Sequence, residues 1–381
     1  MTRRTGQDDR QRAACAAGAL RRWYRRHRRD LPWRRTADPY AVWVSEIMLQ
    51  QTRVAAAIPY YERFMARFPD VGALARAPLD AVMKAWEGMG YYGRARNLHA
   101  AARVVASEYG GRLPASAGEL RKLPGVGRYT AGAIASIAFG ADEPVLDGNV
   151  TRVLCRVFVI AADPRASRTR KRLWALAEAM IPPGEAGLVN QAMMDLGATV
   201  CLPTNPRCGD CPLAGLCLAR LRGHQGRYPR KAARKPLPHQ VAAVGAVVWR
   251  GRILIARRRP EGLLGGLWEL PGGKVRPWED PADAVVREVR EETGVEAAVE
   301  AKVMVAAQAY SHLRVTLHVF RCRRVSGTAR PIASDAVRWV RLDQLDRYAF
   351  PAVNRRIFAT LHNAASGRNE RNQEPGTGNR G

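Results

Sequence analysis

The 381-residue chain contains no run of about 18 apolar residues, so no segment of it reads as a membrane-spanning helix. The opening stretch, Met1 to Arg12, is polar and lacks the apolar core of a secretory signal, and the expected location is therefore cytoplasmic. No internal repeat is present, which excludes a repeat array. Acidic residues are scarce: 34 Asp+Glu stand against 62 Lys+Arg, a formal net charge of +28. That surplus exceeds what solubility needs and favours a polyanionic partner through counterion release, with nucleic acid the leading candidate. An Arg-rich composition also reflects codon bias, so motifs have to decide.

What is present begins with four close cysteines, Cys201, Cys208, Cys211 and Cys217, spaced C-x6-C-x2-C-x5-C. Thiols this dense in a chain without a secretory signal point to a metal centre rather than to disulfides, because cytosolic thiols stay reduced. An iron-sulfur cubane takes four thiolates. So does structural zinc, usually as two close pairs far apart, which the wide first gap fits less well. Spacing alone leaves both open.

The chain is long enough for two domains. From Gln11 to about Gly197, runs such as Val42 to Gln51, Leu79 to Trp86, Ala95 to Ser107 and Arg172 to Met180 carry apolar residues at three- and four-residue steps, predicting successive amphipathic helices. Residues 1–219 thus read as an all-α domain ending in the cysteine loop (201–217). Residues 220–240 are basic and hold Pro229, Pro236 and Pro238, the pattern of a linker. In 241–364 the pattern turns to β at Val241 to Trp249, Arg252 to Ala256, Ala301 to Ala307 and Val315 to Cys322, with one helix from Pro281 to Thr293, predicting an α+β domain. Residues 365–381, without apolar content, read as a disordered tail.

Leu123-Pro124-Gly125-Val126-Gly127 followed by the helical run Tyr129 to Phe139 has the form of a tight turn between two helices. Its glycines let backbone approach a phosphate, and the next helix offers free N–H groups. Such a hairpin holds DNA without reading sequence. Downstream, Asp147 stands just ahead of another helix, where it also serves as an N-cap candidate.

The turn, Asp147 and the cysteine loop together resemble the helix-hairpin-helix DNA glycosylases that carry an iron-sulfur cluster. Val42 to Thr52 (VWVSEIMLQQT), Gly90-Tyr91-Tyr92 and Asn190 to Gly197 (NQAMMDLG) narrow the resemblance to the MutY-type adenine DNA glycosylases. The resemblance spans about Trp23 to Cys217. It implies base excision repair on double-stranded DNA holding an A:8-oxoguanine or A:G mismatch, a 4Fe-4S cluster on the four cysteines, and a monomer.

Relatives that also cut the strand place a lysine beside the hairpin, because Schiff-base chemistry needs an amine nucleophile. Here that place holds Tyr129, which implies a monofunctional glycosylase. Breaking the adenine N-glycosidic bond calls for a protonated leaving group and a stabilised sugar cation, the two-carboxylate logic of glycosidases. By resemblance Glu46 protonates adenine at nitrogen 7 and Asp147 faces the oxocarbenium-like sugar, with Tyr129 and Asn149 orienting. A Glu flanked by Trp43 and Met48 would keep its proton through desolvation. A stacked base is out of reach, so the nucleotide must flip out and a wedge fill the gap. Gln51 and Tyr91 match the wedge positions, Trp33, Arg34 and Gln191 the adenine pocket, and Gly125, Gly127, Arg94, Arg96 and Arg128 are expected phosphate contacts.

The second domain carries a separate motif. Gly273, Glu279, Arg287-Glu288, Glu291-Glu292 and Gly294-Val295 complete the Nudix signature G-x5-E-x7-R-E-U-x-E-E-x-G-U, U being apolar. Glu288, Glu291 and Glu292 share one helical face and repel one another unless divalent cations neutralise them, so Mg2+ with pyrophosphate is the natural filling. MutY-type proteins commonly carry a Nudix-like domain that has lost this box and only recognises 8-oxoguanine; this chain departs from that pattern. Gly265 to Lys274 and Phe350 to Asn354 are similar to MutT-type 8-oxo-dGTP pyrophosphohydrolases, in which Asn354 would read the oxidised base. Tyr310-Ser311-His312 is instead similar to the MutY-type 8-oxoguanine loop. The resemblances leave open a domain that only reads the lesion and one that also hydrolyses 8-oxo-dGTP.

Overall fold

The computed structural model describes residues 2–230, 236–262, 264–310 and 313–365. The chain divides into two compact units, residues 1–78 with 94–234 and residues 79–93 with 235–381.

The first unit is helical throughout. Its elements are α1 (Thr2–His27), α2 (Pro39–Leu49), α3 (Val54–Arg67), α4 (Val71–Arg76), α6 (Gly93–Glu108), α7 (Ala117–Leu120), α8 (Arg128–Phe139), α9 (Gly148–Val157), α10 (Ser167–Ala179), α11 (Ala186–Thr199) and α12 (Leu218–Leu221). The helix between α4 and α6 in sequence, α5 (Leu79–Ala85), packs with the second unit. Local chemistry sets the starts of the helices that matter for the site. Asp38 caps α2, its carboxylate accepting from the N–H groups of Tyr40 (3.1 Å) and Ala41 (3.3 Å), and Pro39 fits the first turn, where its missing N–H costs nothing. α2 is buried along nearly its whole length, from Tyr40 to Met48, which explains why its run is apolar apart from Ser45 and Glu46. α9 and α11 pack with α1 and α10 around Leu20, Leu154, Leu173, Val189 and Leu196.

Between α7 and α8 lies the expected hairpin. Gly125 has φ +75°, and a Cβ there would stand 2.6 Å from the Cβ of Asn97, so only glycine fits. Gly127 caps α8, leaving the first N–H groups of that helix at the surface beside exposed Arg128.

The second unit holds one mixed seven-stranded sheet, β1 (His239–Trp249), β2 (Arg252–Arg257), β3 (Trp268–Glu269), β4 (Gly272–Lys274), β5 (Glu296–Ala309), β6 (Arg314–Ser326) and β7 (Ala336–Arg341). The path runs β3-β2-β1-β6-β5, with β4 on β1 and β7 on β2; β1 and β6 are parallel, Val244 opposite Val319. α13 (Pro281–Thr293) covers one face through Ala284, Val285 and Val289. α14 (Ala352–Ala365) belongs to the core on Val353 and Ile357, packed with Ile253, Ile255 and Trp268. Asp280 caps α13 and Gly294, at φ +70°, ends it, so the predicted span Pro281 to Thr293 is the observed one.

The expected linker needs correction at both ends. α12 and a 3-10 turn at Gln225–Arg227 occupy its first third, and Tyr228 is buried in the first unit's core; β1 already starts at His239. The prolines and arginines that suggested a linker are compatible with short turns anchored by one aromatic ring. Residues 231–235 and the tail from 366 lie outside the described residues, while Ala365 is the last residue of α14.

Candidate active site

A cavity of about 730 Å³ opens in the first unit between α2, the hairpin, α9 and α11, lined among others by Glu46, Tyr129, Asp147, Asn149 and Gln191. α2 carries Glu46 into it, 5% exposed. The Tyr129 hydroxyl, from the first turn of α8, donates to Glu46 Oε2 at 2.8 Å and lies 3.2 Å from Met194 Sδ of α11. Burial drives the Glu46 carboxyl up to about 7; the Tyr129 hydroxyl pulls it down, the Asp147 carboxylate pushes it up and Arg34 pulls it down.

Asp147 lines the cavity from the start of α9. As N-cap of α9, its Oδ1 accepts from the Val150 N–H at 2.6 Å, while Oδ2 accepts from the Asn149 side-chain amide at 3.1 Å. Burial raises its carboxyl as well, opposed by the Val150 and Asn149 N–H groups and by Arg152. Asn149 in turn accepts from Arg152 at 2.8 Å, and Arg152 continues to the carbonyls of Gly197 and Cys201, both at 2.7 Å. A Cβ at Gly197 would fall 2.5 Å from that of Asn149, so α11 approaches α9 closely only because residue 197 is glycine.

Trp33 and Arg34, on a 3-10 turn ahead of α2, and Gln191 also line the cavity. Gln191 accepts from the Tyr24 hydroxyl at 3.2 Å and donates to the Gly187 carbonyl at 3.1 Å. Arg34 makes a two-pronged bond to Asp195, 2.6 and 2.9 Å, and Arg29 binds the same carboxylate at 2.7 Å. Asp195 is fully buried, and its two arginines outweigh burial and hold its carboxyl below the ordinary range. Asp195, Met194 and Arg152 went unassigned in the sequence: Asp195 lay inside a recognised run, but only folding brings it to Arg34.

Gln51 and Tyr91 are exposed and both have positive φ, +58° and +49°. Gly125, Gly127 and Arg128 border the cavity. One expected phosphate contact is turned inward, and another stacks on a ring while staying exposed. Arg94 turns inward, its Nη1 donating to the carbonyls of Ile47 (3.0 Å), Met48 (2.8 Å) and Gln50 (2.5 Å) at the end of α2, and Arg128 lies over the Trp174 ring at 3.9 Å. Arg96 is half-buried.

Cys201, Cys208, Cys211 and Cys217 line one small cavity of about 20 Å³. Arg156, 2% exposed, places Nη1 at 3.2 Å from Cys201 Sγ and also donates to the carbonyls of Leu202 (2.7 Å) and Pro203 (3.0 Å). Four thiols lining one cavity, with a buried guanidinium beside them, suit a polythiolate cluster, whose negative charge the arginine offsets.

In the second unit a cavity of about 290 Å³ is lined among others by Glu288, Glu292, Tyr310, Val353 and Asn354. Arg287 binds Glu279 (2.7 Å), Glu288 (2.7 Å) and Glu291 (3.2 Å), holding the carboxylates on one side of α13. The Gly272 N–H donates to Glu292 Oε2 at 3.0 Å, and burial, reinforced by Glu269, pushes the Glu292 carboxyl up to about 8. A Cβ on Gly273 would collide with the Glu288 carboxylate. Asn354 is 5% exposed, while Ser311 and His312 lie outside the described residues. Among the described residues no three His, Cys, Asp or Glu side chains are gathered closely around a single-ion position, and no helix is long and apolar enough to cross a membrane.

Residues 44–179 match the HhH-GPD superfamily of base excision DNA repair proteins, residues 201–217 the iron-sulfur binding domain of endonuclease III, and residues 243–360 the NUDIX domain. Fold and site together therefore define a DNA glycosylase with an iron-sulfur module, joined to a Nudix domain. The adenine DNA glycosylase of Homo sapiens is 37% identical over 416 residues, covering 94% of this chain and 74% of the relative, and that of Mycolicibacterium smegmatis is 44% identical over 50% of this chain and 65% of its own length. A solved thermostable thymine-DNA glycosylase superposes with TM-score 0.51 at 30% identity, covering 56% of this chain and 98% of its own. The chain belongs to the adenine DNA glycosylase family and is a DNA-binding enzyme of base excision repair.

Proposed function

We propose that the first unit excises adenine paired with 8-oxoguanine, or less well with G, from duplex DNA by monofunctional hydrolysis. The observation that carries this is Glu46: a carboxyl buried beside Asp147, hydrogen-bonded by Tyr129 and held protonated to about 7. Glu46 donates its proton to nitrogen 7 of adenine, turning a poor leaving group into a good one. Asp147, held by Val150 and Asn149, faces the sugar as its positive charge develops. The Glu46 proton also relieves repulsion between the two acids until it is transferred. Trp33, Arg34 and Gln191 form the purine pocket, and Gln51 and Tyr91 enter the helix as the base leaves it. The hairpin backbone at Gly125 and Gly127 binds phosphate, with Arg96 and Arg128 adding charge. Cys201, Cys208, Cys211 and Cys217 hold a 4Fe-4S cluster that braces the loop next to Arg152 and Arg156; hydrolysis needs no electron from it.

A thymine glycosylase of the same fold is the rival reading, and Glu46 argues against it because a pyrimidine offers no nitrogen 7 to protonate. Base release from A:8-oxoguanine, A:G and T:G duplexes decides. Adenine release is expected, fastest opposite 8-oxoguanine, with little borohydride trapping on abasic DNA. Preferred thymine release, or efficient trapping, would overturn the reading.

For the second unit the same proposal includes recognition of 8-oxoguanine and hydrolysis of 8-oxo-dGTP. Support comes from the carboxylate face of α13 and from Gly273, whose missing side chain leaves room for Glu288. Glu288, Glu291 and Glu292 are hard oxygen donors that fit Mg2+, which would neutralise pyrophosphate charge. Asn354 supplies the amide that distinguishes the oxidised base. Pyrophosphate release from 8-oxo-dGTP with Mg2+, abolished in Glu291→Gln or Glu292→Gln, is the expected result; no turnover at any Mg2+ concentration would leave only the reader.

A further inference from the structure

The four residues between α2 and α3 hold a strained turn. Gln50 ends α2 at φ −59° and ψ 111°, Gln51 follows at φ +58°, and the Thr52 N–H donates back to the Leu49 carbonyl at 3.3 Å. That has the form of a type II turn with Gln51 in its third place, the one that favours glycine because an L side chain crowds the backbone there. The chain instead puts a long amide side chain in that place and leaves it exposed at the edge of the first unit's cavity. A residue held in a costly conformation points to a use for the direction it takes.

Arg94, at the second position of α6 and in the same compact unit as α2, clamps this turn. Its Nη1 donates to the carbonyls of Ile47, Met48 and Gln50 and to the Thr52 hydroxyl at 3.2 Å, so its contacts bracket Gln51 on both sides. Carbonyls at a helix end lack intrahelical partners, and a guanidinium there meets both their hydrogen-bonding need and the negative end of the helix dipole. From the other flank the Gln50 side-chain amide donates to the hydroxyl of Thr130 in α8 at 3.1 Å, and Thr130 is buried. The turn is held from two helices while the Gln51 side chain stays in solvent.

We infer that Arg94 is a positioning residue for base flipping: it locks the Leu49–Thr52 turn so that the Gln51 side chain is preset to enter the duplex, and it is not a phosphate contact. The inference rests on the reading of Gln51 as a wedge that fills the place of the extruded adenine. A preset wedge favours the flipped state, because the turn and its side chain are ordered before DNA arrives. Two rival roles for Arg94 leave different signatures. A phosphate contact adds about one to the slope of log K against log salt. A residue that only braced α2 would let Glu46 move when it is lost, and the pH dependence of the chemical step would move with it.

The test uses the whole chain as wild type, Arg94→Gln, Thr52→Val, Gln51→Ala and the Arg94→Gln/Gln51→Ala double variant. Flipping is followed by the stopped-flow fluorescence of 2-aminopurine placed beside the target adenine, whose 2′-fluoro sugar blocks cleavage by destabilising the sugar cation. Single-turnover excision across pH, duplex binding across salt and melting temperature complete the set. Arg94→Gln should slow the fluorescence rise on the order of tenfold and excision by a similar factor, with the alkaline limb in place and the salt slope unchanged. Thr52→Val removes one acceptor at constant shape, should lose about two- to threefold, and decides the matter where Arg94→Gln folds poorly. The double variant should flip no more slowly than Gln51→Ala, since both act on one wedge. A salt slope reduced by about one, a displaced limb, multiplying losses in the double variant, or unchanged flipping in Arg94→Gln and Thr52→Val overturns the inference. A Gln51→Ala protein that flips as fast as wild type overturns the wedge reading beneath it instead.

Discussion

Glu46 illustrates how a single residue's chemistry follows from its neighbours. The sequence places an acid between Trp43 and Met48, and desolvation is the expected reason for a retained proton; the fold adds the Tyr129 hydroxyl at 2.8 Å and the Asp147 charge. Such a group is a liability for stability. Folded Glu46 keeps its proton to about 7, whereas an unfolded Glu releases it near 4.5. Between these values the folded chain binds the extra proton, so stability falls as pH rises through that window and stays lower above it. Glu46→Gln is therefore expected to be the more stable protein at pH 8, by up to about 3 kcal/mol, and to show no advantage at pH 4. Denaturant melts at the two pH values check this; an advantage equal at both would mean that the carboxyl is not the source.

Elements were legible where one local signal governed them. The cap Asp280 and the stop Gly294 bound α13 at its predicted ends, and Gly125 marked the hairpin. Other assignments failed where tertiary packing decided. Nothing in the Arg220–Gln240 composition marks Tyr228 as core, and nothing local ties Arg34 to Asp195, 161 residues away. Arg94 read as a surface cation because its partners are backbone carbonyls, which have no sequence signature. The Arg29–Asp195–Arg34 cluster joins the segment ahead of α2 to α11, and its buried carboxylate compensates two arginines. Asp195→Asn keeps shape but leaves them uncompensated, so a loss of about 3–5 kcal/mol is expected in denaturant unfolding. A loss below about 1 kcal/mol would show that solvent already screens the pair.

At the scale of the whole molecule, the net charge of +28 and the hairpin indicate a polyanionic partner, and the motifs alone separate a helical glycosylase from a Nudix domain. What the motifs do not reveal is that residues 79–93, in the middle of the helical sequence, pack with the second unit, since contact partners more than 250 residues away leave no local pattern. The central claim is that a buried, near-neutral carboxyl donates the proton that releases adenine. Its most direct test is the pH profile of kcat/KM for adenine release from an A:8-oxoguanine duplex in wild type and Glu46→Gln. Wild type should lose rate as pH rises through about 7, the limb should vanish in Glu46→Gln, and that variant should be slower by at least about a hundredfold at neutral pH. A Glu46→Gln enzyme that keeps its rate, or one that keeps the same limb, would contradict the account.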